Sequence, residues 1–149
     1  MITYLIGDAT NPKTLGMKLL PHISNDVFAW GAGYVLALSK KWKMPEFVFL
    51  SSEELVLGEV QFVYVERDIT VCNMIAQEGV GINKITKLPP IRYEALRECL
   101  KKVNEVALKI DATIHAPRFG AGLSGGDWQV IEQIIKDEIT VDVYIYDLK

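Results

Sequence analysis

Residues 112–128 read Ala112-Thr113-Ile114-His115-Ala116-Pro117-Arg118-Phe119-Gly120-Ala121-Gly122-Leu123-Ser124-Gly125-Gly126-Asp127-Trp128, a short strand that runs through a glycine-rich loop into a helix. Glycines let the backbone take conformations with positive φ and let a ligand come close. Successive N–H groups then point into one concavity beside the positive end of a helix, an arrangement suited to phosphate or diphosphate. A plain turn needs one or two glycines. The density of small residues from Gly120 to Gly126 favours a ligand-binding loop.

The same alternation of strand and helix extends outward. Residues 2–6 are an apolar run ended by Gly7 and read as a buried strand. Residues 18–23 read as a second strand, and residues 24–33, with two glycines and several small polar side chains, as loop. Residues 34–42 have helical spacing, with Val35, Leu38 and Trp42 on one side. Residues 60–65 and 69–75 flank Glu66-Arg67-Asp68 and predict a β-hairpin. Pro89-Pro90 then opens a long helix, because prolines suit a first turn whose N–H groups have no helical partner. Its stripe is Ile91, Leu96, Cys99, Leu100, Val103, Val106, Ala107 and Ile110. A last helix from Trp128 turns Ile131, Ile134, Ile135 and Ile139 inward, and residues 141–148 close the chain as a strand. Interleaved strands and helices predict an α/β fold, a mixed β-sheet with helices on both faces. Ligands bind such folds at the C-terminal ends of the strands.

The 149 residues suit a single domain, 1–149, with one hydrophobic core. A net charge of −3 argues against wrapping DNA or RNA, which takes a basic face. No apolar run approaches the length that spans a bilayer, and residues 1–6 read as strand rather than signal peptide. The expected location is therefore the cytoplasm, with no membrane partner. Cys72 and Cys99 sit in no C-x-x-C pair and beside no His cluster, so a zinc site is not expected. They read as two reduced core thiols, with a lone disulfide as the alternative. No metal and no cofactor are expected.

Gly120-Ala121-Gly122-Leu123-Ser124-Gly125 also matches the dinucleotide fingerprint G-x-G-x-x-G, with Asp147 about where the ribose-binding acid belongs. That reading, an NAD-binding oxidoreductase fragment, needs further β-α units after the fingerprint. Only one helix and one strand follow it here.

Four stretches in register resemble the macro domain (Appr-1-p processing) family. They are Gly7-Asp8-Ala9-Thr10 after the first strand, His22-Ile23-Ser24-Asn25 with Trp30-Gly31-Ala32-Gly33, Pro117-Arg118-Phe119-Gly120-Ala121-Gly122-Leu123, and the ending Ile145-Tyr146-Asp147-Leu148. The similarity spans the whole chain, nearest the branch of ADP-ribose 1″-phosphate phosphatases and terminal ADP-ribose glycohydrolases. The resemblance implies a three-layer macro-domain fold and partners that are ADP-ribose, ADP-ribose 1″-phosphate or ADP-ribosylated protein. It implies that Asp8 accepts a hydrogen bond from the adenine amino group and that the Ala9 N–H helps hold the ring; read from the residues alone, Asp8 is a turn residue or helix cap. Ser24 and Asn25 would belong to the first ligand loop, and Gly31, Ala32 and Gly33 would lie against the distal ribose and phosphates. Trp30 would cover that ribose, with a buried core tryptophan as the alternative. Pro117, Arg118, Gly120, Ala121, Gly122, Leu123, Ser124, Gly125 and Gly126 would form the diphosphate loop.

For chemistry, the resemblance aligns His22 with a histidine proposed to act in the phosphatases. His22 and Asp127 form the candidate acid–base pair for hydrolysing ADP-ribose 1″-phosphate. The alternatives are a near-core histidine and an N-cap aspartate on the last helix, which leave a non-catalytic ADP-ribose-binding module. His115, mid-strand, reads as structural. The glycohydrolase branch uses a lysine and an aspartate where this chain has Gln77 and Ser124. Glutamine supplies no amine for a covalent intermediate, and Lys84 falls in the following loop.

Overall fold

The computed structural model describes residues 1–149. Its central strand, β2 (Lys18–Asn25), is buried along nearly its whole length, and its alternating side chains feed two cores. Leu19 and Ile23 enter the larger one with Leu96, Leu100 and Val103 from α3 (Tyr93–Ile110) and Ile131, Ile134 and Ile135 from α4 (Trp128–Glu138). Leu20 faces the opposite way, against Leu38 of α1 (Tyr34–Lys41). Beside it, Phe49 of α2 (Met44–Ser51) packs on Trp30 and Ile75. Each fully buried aliphatic side chain of this kind contributes about 1.5–3 kcal/mol.

The remaining strands are β1 (Ile2–Ile6), β3 (Val60–Glu66), β4 (Ile69–Gln77), β5 (Thr113–Ala116) and β6 (Val143–Asp147). They form one sheet in the order β1-β6-β5-β2-β4-β3, parallel throughout except for the antiparallel β3–β4 hairpin. With α3 and α4 on one face and α1 and α2 on the other, this is the expected three-layer α/β fold with a mixed sheet. No helix is long and apolar enough to cross a membrane. Both cysteines are free and buried.

Two local outcomes differ from what the sequence predicts, and a third shapes the site. The helix expected from Pro89-Pro90 starts at Tyr93. Ile91 instead makes a bridge with Gln77, and the N–H of Arg92 donates to Ala76 O at 2.8 Å, so the sheet takes these residues before the helix can. No signal read above anticipates α2, whose apolar residues lie side by side rather than in a stripe; Phe49 is fully buried while Phe47 and Leu50 are exposed. Finally, β2 pairs with β5 only through Lys18 and Leu19. Pro21, two residues on, has no N–H to give a ladder. From there the two strands part at their C-terminal ends, and a crevice opens between them.

Candidate functional site

A cavity of about 620 Å³ occupies that crevice. His22 and Ser24 from β2 form part of its floor, and residues 29–35 on one side and 117–120 with 122–124 on the other form its two walls. Val80 and Gly81 stand at its edge. Of the sequence-predicted residues, His22, Ser24, Asn25, Trp30, Gly31, Ala32, Gly33, Pro117, Arg118, Gly120, Gly122, Leu123 and Ser124 line it. Asp8, Ala9, Ala121, Gly125, Gly126 and Asp127 do not.

The floor is chemically unfinished. His22 Nδ1, Ser24 Oγ and the Tyr34 hydroxyl are all buried without a hydrogen-bond partner. Buried polar atoms are rarely left so, because each costs a desolvation penalty. The proton on His22 can be placed. Asn73 Nδ2 donates to Pro45 O (3.1 Å) and Gln61 Oε1 (3.0 Å), which fixes Asn73 Oδ1 as an acceptor. His22 Nε2 lies 2.6 Å from that oxygen and must donate to it. Nδ1 therefore carries a lone pair. The ring is held edge-on to Trp30, with centroids 5.5 Å apart. Tyr34 was missed by the sequence reading, which saw only the first residue of a helix. Burial, and then the charge of Asp8, push its pKa up, so it stays a hydroxyl donor.

The first wall ends in a helix terminus. Gly33, at φ 79°, is the N-cap of α1 and supplies no side chain to it. The N–H groups of Ala32, Gly33, Tyr34 and Val35 find no acceptor in the protein. Those of Gly122, Leu123 and Ser124 on the second wall are equally free. A Cβ on Gly33 would lie 3.2 Å from Leu123 Cδ1, so the two loops nearly meet. The result is a cleft with free donors on both sides and the positive end of α1 at one of them, a site for a bridging anion such as a diphosphate.

This corrects the expectation that the helix after the glycine loop supplies the dipole. The N-terminus of α4 is closed by Asp127, whose Oδ1 accepts from the Gln129 N–H at 2.9 Å. Asp127 lies in a separate groove with Tyr93 and Glu94 between α3 and α4. It is an N-cap and does not meet His22, so the acid–base pair His22–Asp127 is not assembled. Gly125 and Gly126 serve the loop's own packing. Asn25 shapes the first loop: its Oδ1 accepts from Val27 and Ala29 N–H, both at 3.0 Å, and its Nδ2 donates to Ala29 O at 2.7 Å. Trp30 satisfies both readings, being 8% exposed, packed on Phe49 and still part of the cavity wall.

Asp8 follows β1 at the same end of the sheet. Its Oδ1 accepts from the N–H and hydroxyl of Thr10 at 2.8 and 2.7 Å, which orients the carboxylate and leaves Oδ2 free. Its charge adds to the upward push on Tyr34, but it is not among the residues that line the cavity. Asp147, the acid of the dinucleotide reading, is instead bound twice by Arg118: Nε to Oδ1 at 2.6 Å and Nη2 to Oδ2 at 2.9 Å. Gln77 and Ser124 meet inside the cavity, Ser124 Oγ donating to Gln77 Oε1 at 2.6 Å. No lysine lines it.

Both histidines are held neutral. Burial lowers His22 to about 4 against the opposing Asn73 hydrogen bond, and burial with the charge of Lys18 lowers His115 to about 4. His115 is fully enclosed, bonded to Thr113 and Tyr146, as a structural residue would be. An unfolded chain binds both protons near pH 6.5. The stability from neutral burial is therefore complete above that pH and is lost as pH falls toward 4, with His22 contributing a slope of about 1.4 kcal/mol per unit. Urea denaturation at pH 7 and pH 5.5 should show this fall; equal midpoints at the two pH values would contradict it.

No protein-family model matches the chain. Solved structures do resemble it. A protein from Bacteroides thetaiotaomicron is 50% identical, with TM-score 0.91 over 97% of this chain and 98% of that one. A macrodomain protein from Streptomyces coelicolor is 38% identical, with TM-score 0.84 over 99% of both chains. Thermosipho africanus DarTG, solved in complex with ADP-ribose, shares the fold at 18% identity and TM-score 0.64, over 89% of this chain and 38% of that one. Among curated proteins, the Chromodomain-helicase-DNA-binding protein 1-like of Danio rerio is 29% identical over 93% of this chain, which spans only 14% of that protein's length.

Proposed function

The chain belongs to the macrodomain family, and from that premise we propose that its cavity binds ADP-ribose, free or as the terminal group of a modified protein. One observation carries the reading: N–H groups from Ala32 to Val35 and from Gly122 to Ser124, on the two walls of the cavity, have no acceptor in the protein, and the Asp8 carboxylate follows β1 at the same end of the sheet. A diphosphate answers the donors, and an exocyclic amine answers the carboxylate, which is acceptor-only. The ADP-ribose held by the DarTG relative has both groups. A cavity of about 620 Å³ lies in the range of small-molecule sites.

Hydrolysis of ADP-ribose 1″-phosphate is the second reading, favoured by the unpartnered lone pair on His22 Nδ1. That nitrogen would take a proton from the water attacking phosphorus and return it to the 1″ oxygen as its bond to phosphorus breaks, and Asp127 would take no part. A base with a pKa of about 4 is a weak one at neutral pH. Binding is thus better supported than turnover. The covalent-lysine route has no nucleophile in this cavity, where Gln77 and Ser124 form a neutral pair.

Asp8→Ala tests the adenine end. Loss of a hydrogen bond to a charged group should weaken ADP-ribose about tenfold or more. An unchanged dissociation constant would remove Asp8 from the site. Phosphate release from ADP-ribose 1″-phosphate, lost in His22→Ala, would support the second reading. No release by the unaltered protein would leave a binding module.

A further inference from the structure

Residues 79–88 form a third loop at the cavity mouth, and ligand binding leaves most of it unused. Its start is tied to the first ligand loop, where the Gly79 N–H donates to Asp26 Oδ1 at 2.8 Å. Its end leans on the second: Pro89 Cβ would be 2.7 Å from a side chain at Gly125, and the Ile91 N–H donates to Ser124 O at 3.1 Å. Between these anchors the loop bonds to itself. Asn83 Oδ1 accepts from the N–H of Ile85 (2.9 Å) and Thr86 (3.0 Å), and the Asn83 N–H donates to Leu88 O at 3.0 Å. It is a shaped element rather than a slack connection.

This ordered loop turns its apolar side chains to water. Val80, Ile82, Ile85 and Leu88 are all exposed, Ile85 by 91%. Leu123 on the second loop is exposed as well. Apolar groups held outward around a binding cleft mark an interaction surface, and a preformed loop loses little entropy when it is covered. The surface also carries charge. Residues 79–91 contain Lys84 and Lys87 and no acid, on a chain of net charge −3. The neighbouring Glu78 is already paired with Arg92 at 3.0 Å.

We propose that this rim docks the protein segment to which the cavity's ligand is attached, and that the segment is acidic, with apolar residues among its carboxylates. The proposal rests on the ADP-ribose reading of the cavity. The lysines answer carboxylates and the apolar side chains answer their like. A nucleic-acid backbone would engage the two lysines and leave the apolar side chains in water.

The test compares three probes by calorimetry: free ADP-ribose, an acidic peptide carrying ADP-ribose on a glutamate, and a single-stranded oligonucleotide carrying it on a base. The peptide should bind about tenfold more tightly than free ADP-ribose. The gain should vanish in Ile82→Ser/Ile85→Ser and shrink in Lys84→Glu/Lys87→Glu, with the affinity for free ADP-ribose unchanged. A peptide no tighter than the free ligand, a gain that survives the substitutions, or a gain confined to the oligonucleotide would each overturn the rim's role while leaving the cavity's reading intact. No binding of free ADP-ribose would overturn both.

Discussion

Gly126→Ala should lower the unfolding free energy by about 3 kcal/mol. A Cβ at this position would lie 2.6 Å from Gly120 O and 2.8 Å from Ile91 Cδ1. The carbonyl it strikes also accepts the Gly126 N–H at 2.7 Å. The clash therefore cannot relax without breaking the hydrogen bond that closes the loop's neck. Gly120 cannot swing aside either. It sits at φ +81°, with Ile91, Ile131 and Ile23 all within 2.9 Å of where its own Cβ would be. Urea unfolding measures the loss directly. A midpoint equal to that of the unaltered protein would show that the neck is not packed as described.

Gly122→Val should do the opposite, abolishing binding while leaving the fold alone. A Cβ on Gly122 meets nothing within 4 Å, and its backbone does not require glycine. Stability should stay within about 0.5 kcal/mol. Yet Gly122 lines the cavity, and its N–H is among the free donors of the second wall. An isopropyl group there would stand where a diphosphate must approach the N–H groups of Gly122, Leu123 and Ser124. ADP-ribose should bind at least about a hundredfold more weakly. Unaltered affinity would mean that this wall does not hold the phosphates. Together the two variants separate glycines that build the loop from those that leave room for a ligand.

That separation was not legible in the sequence. Composition and spacing say that glycines from 120 to 126 allow close approach, but not what approaches. At Gly126 it is a carbonyl of the same loop; at Gly122 it is open space. The strand and helix order was legible because core-facing periods of two and of three to four residues are local properties, as the α3 stripe of Leu96, Cys99, Leu100 and Val103 shows. Helix α2 left no such trace, since one buried phenylalanine, Phe49, anchors it. Pro21 was a usable signal for the crevice, because a proline inside a strand marks where pairing must stop on one side. For the site, the loop residues could be found from glycines and small polar side chains, whereas Tyr34 could not. Its role depends on a buried hydroxyl without a partner, which only the packed structure reveals. Asp127 carried two readings in sequence, acid–base group or N-cap, and the position of α4 decides for the cap.

The most direct test of the central claim is calorimetric titration of the purified protein with ADP-ribose and, separately, with NAD. ADP-ribose should bind with a dissociation constant of about a micromolar, near −8 kcal/mol, and NAD much more weakly, because its nicotinamide would clash or go uncontacted in the distal pocket. No ADP-ribose binding, or a preference for NAD, would contradict that claim.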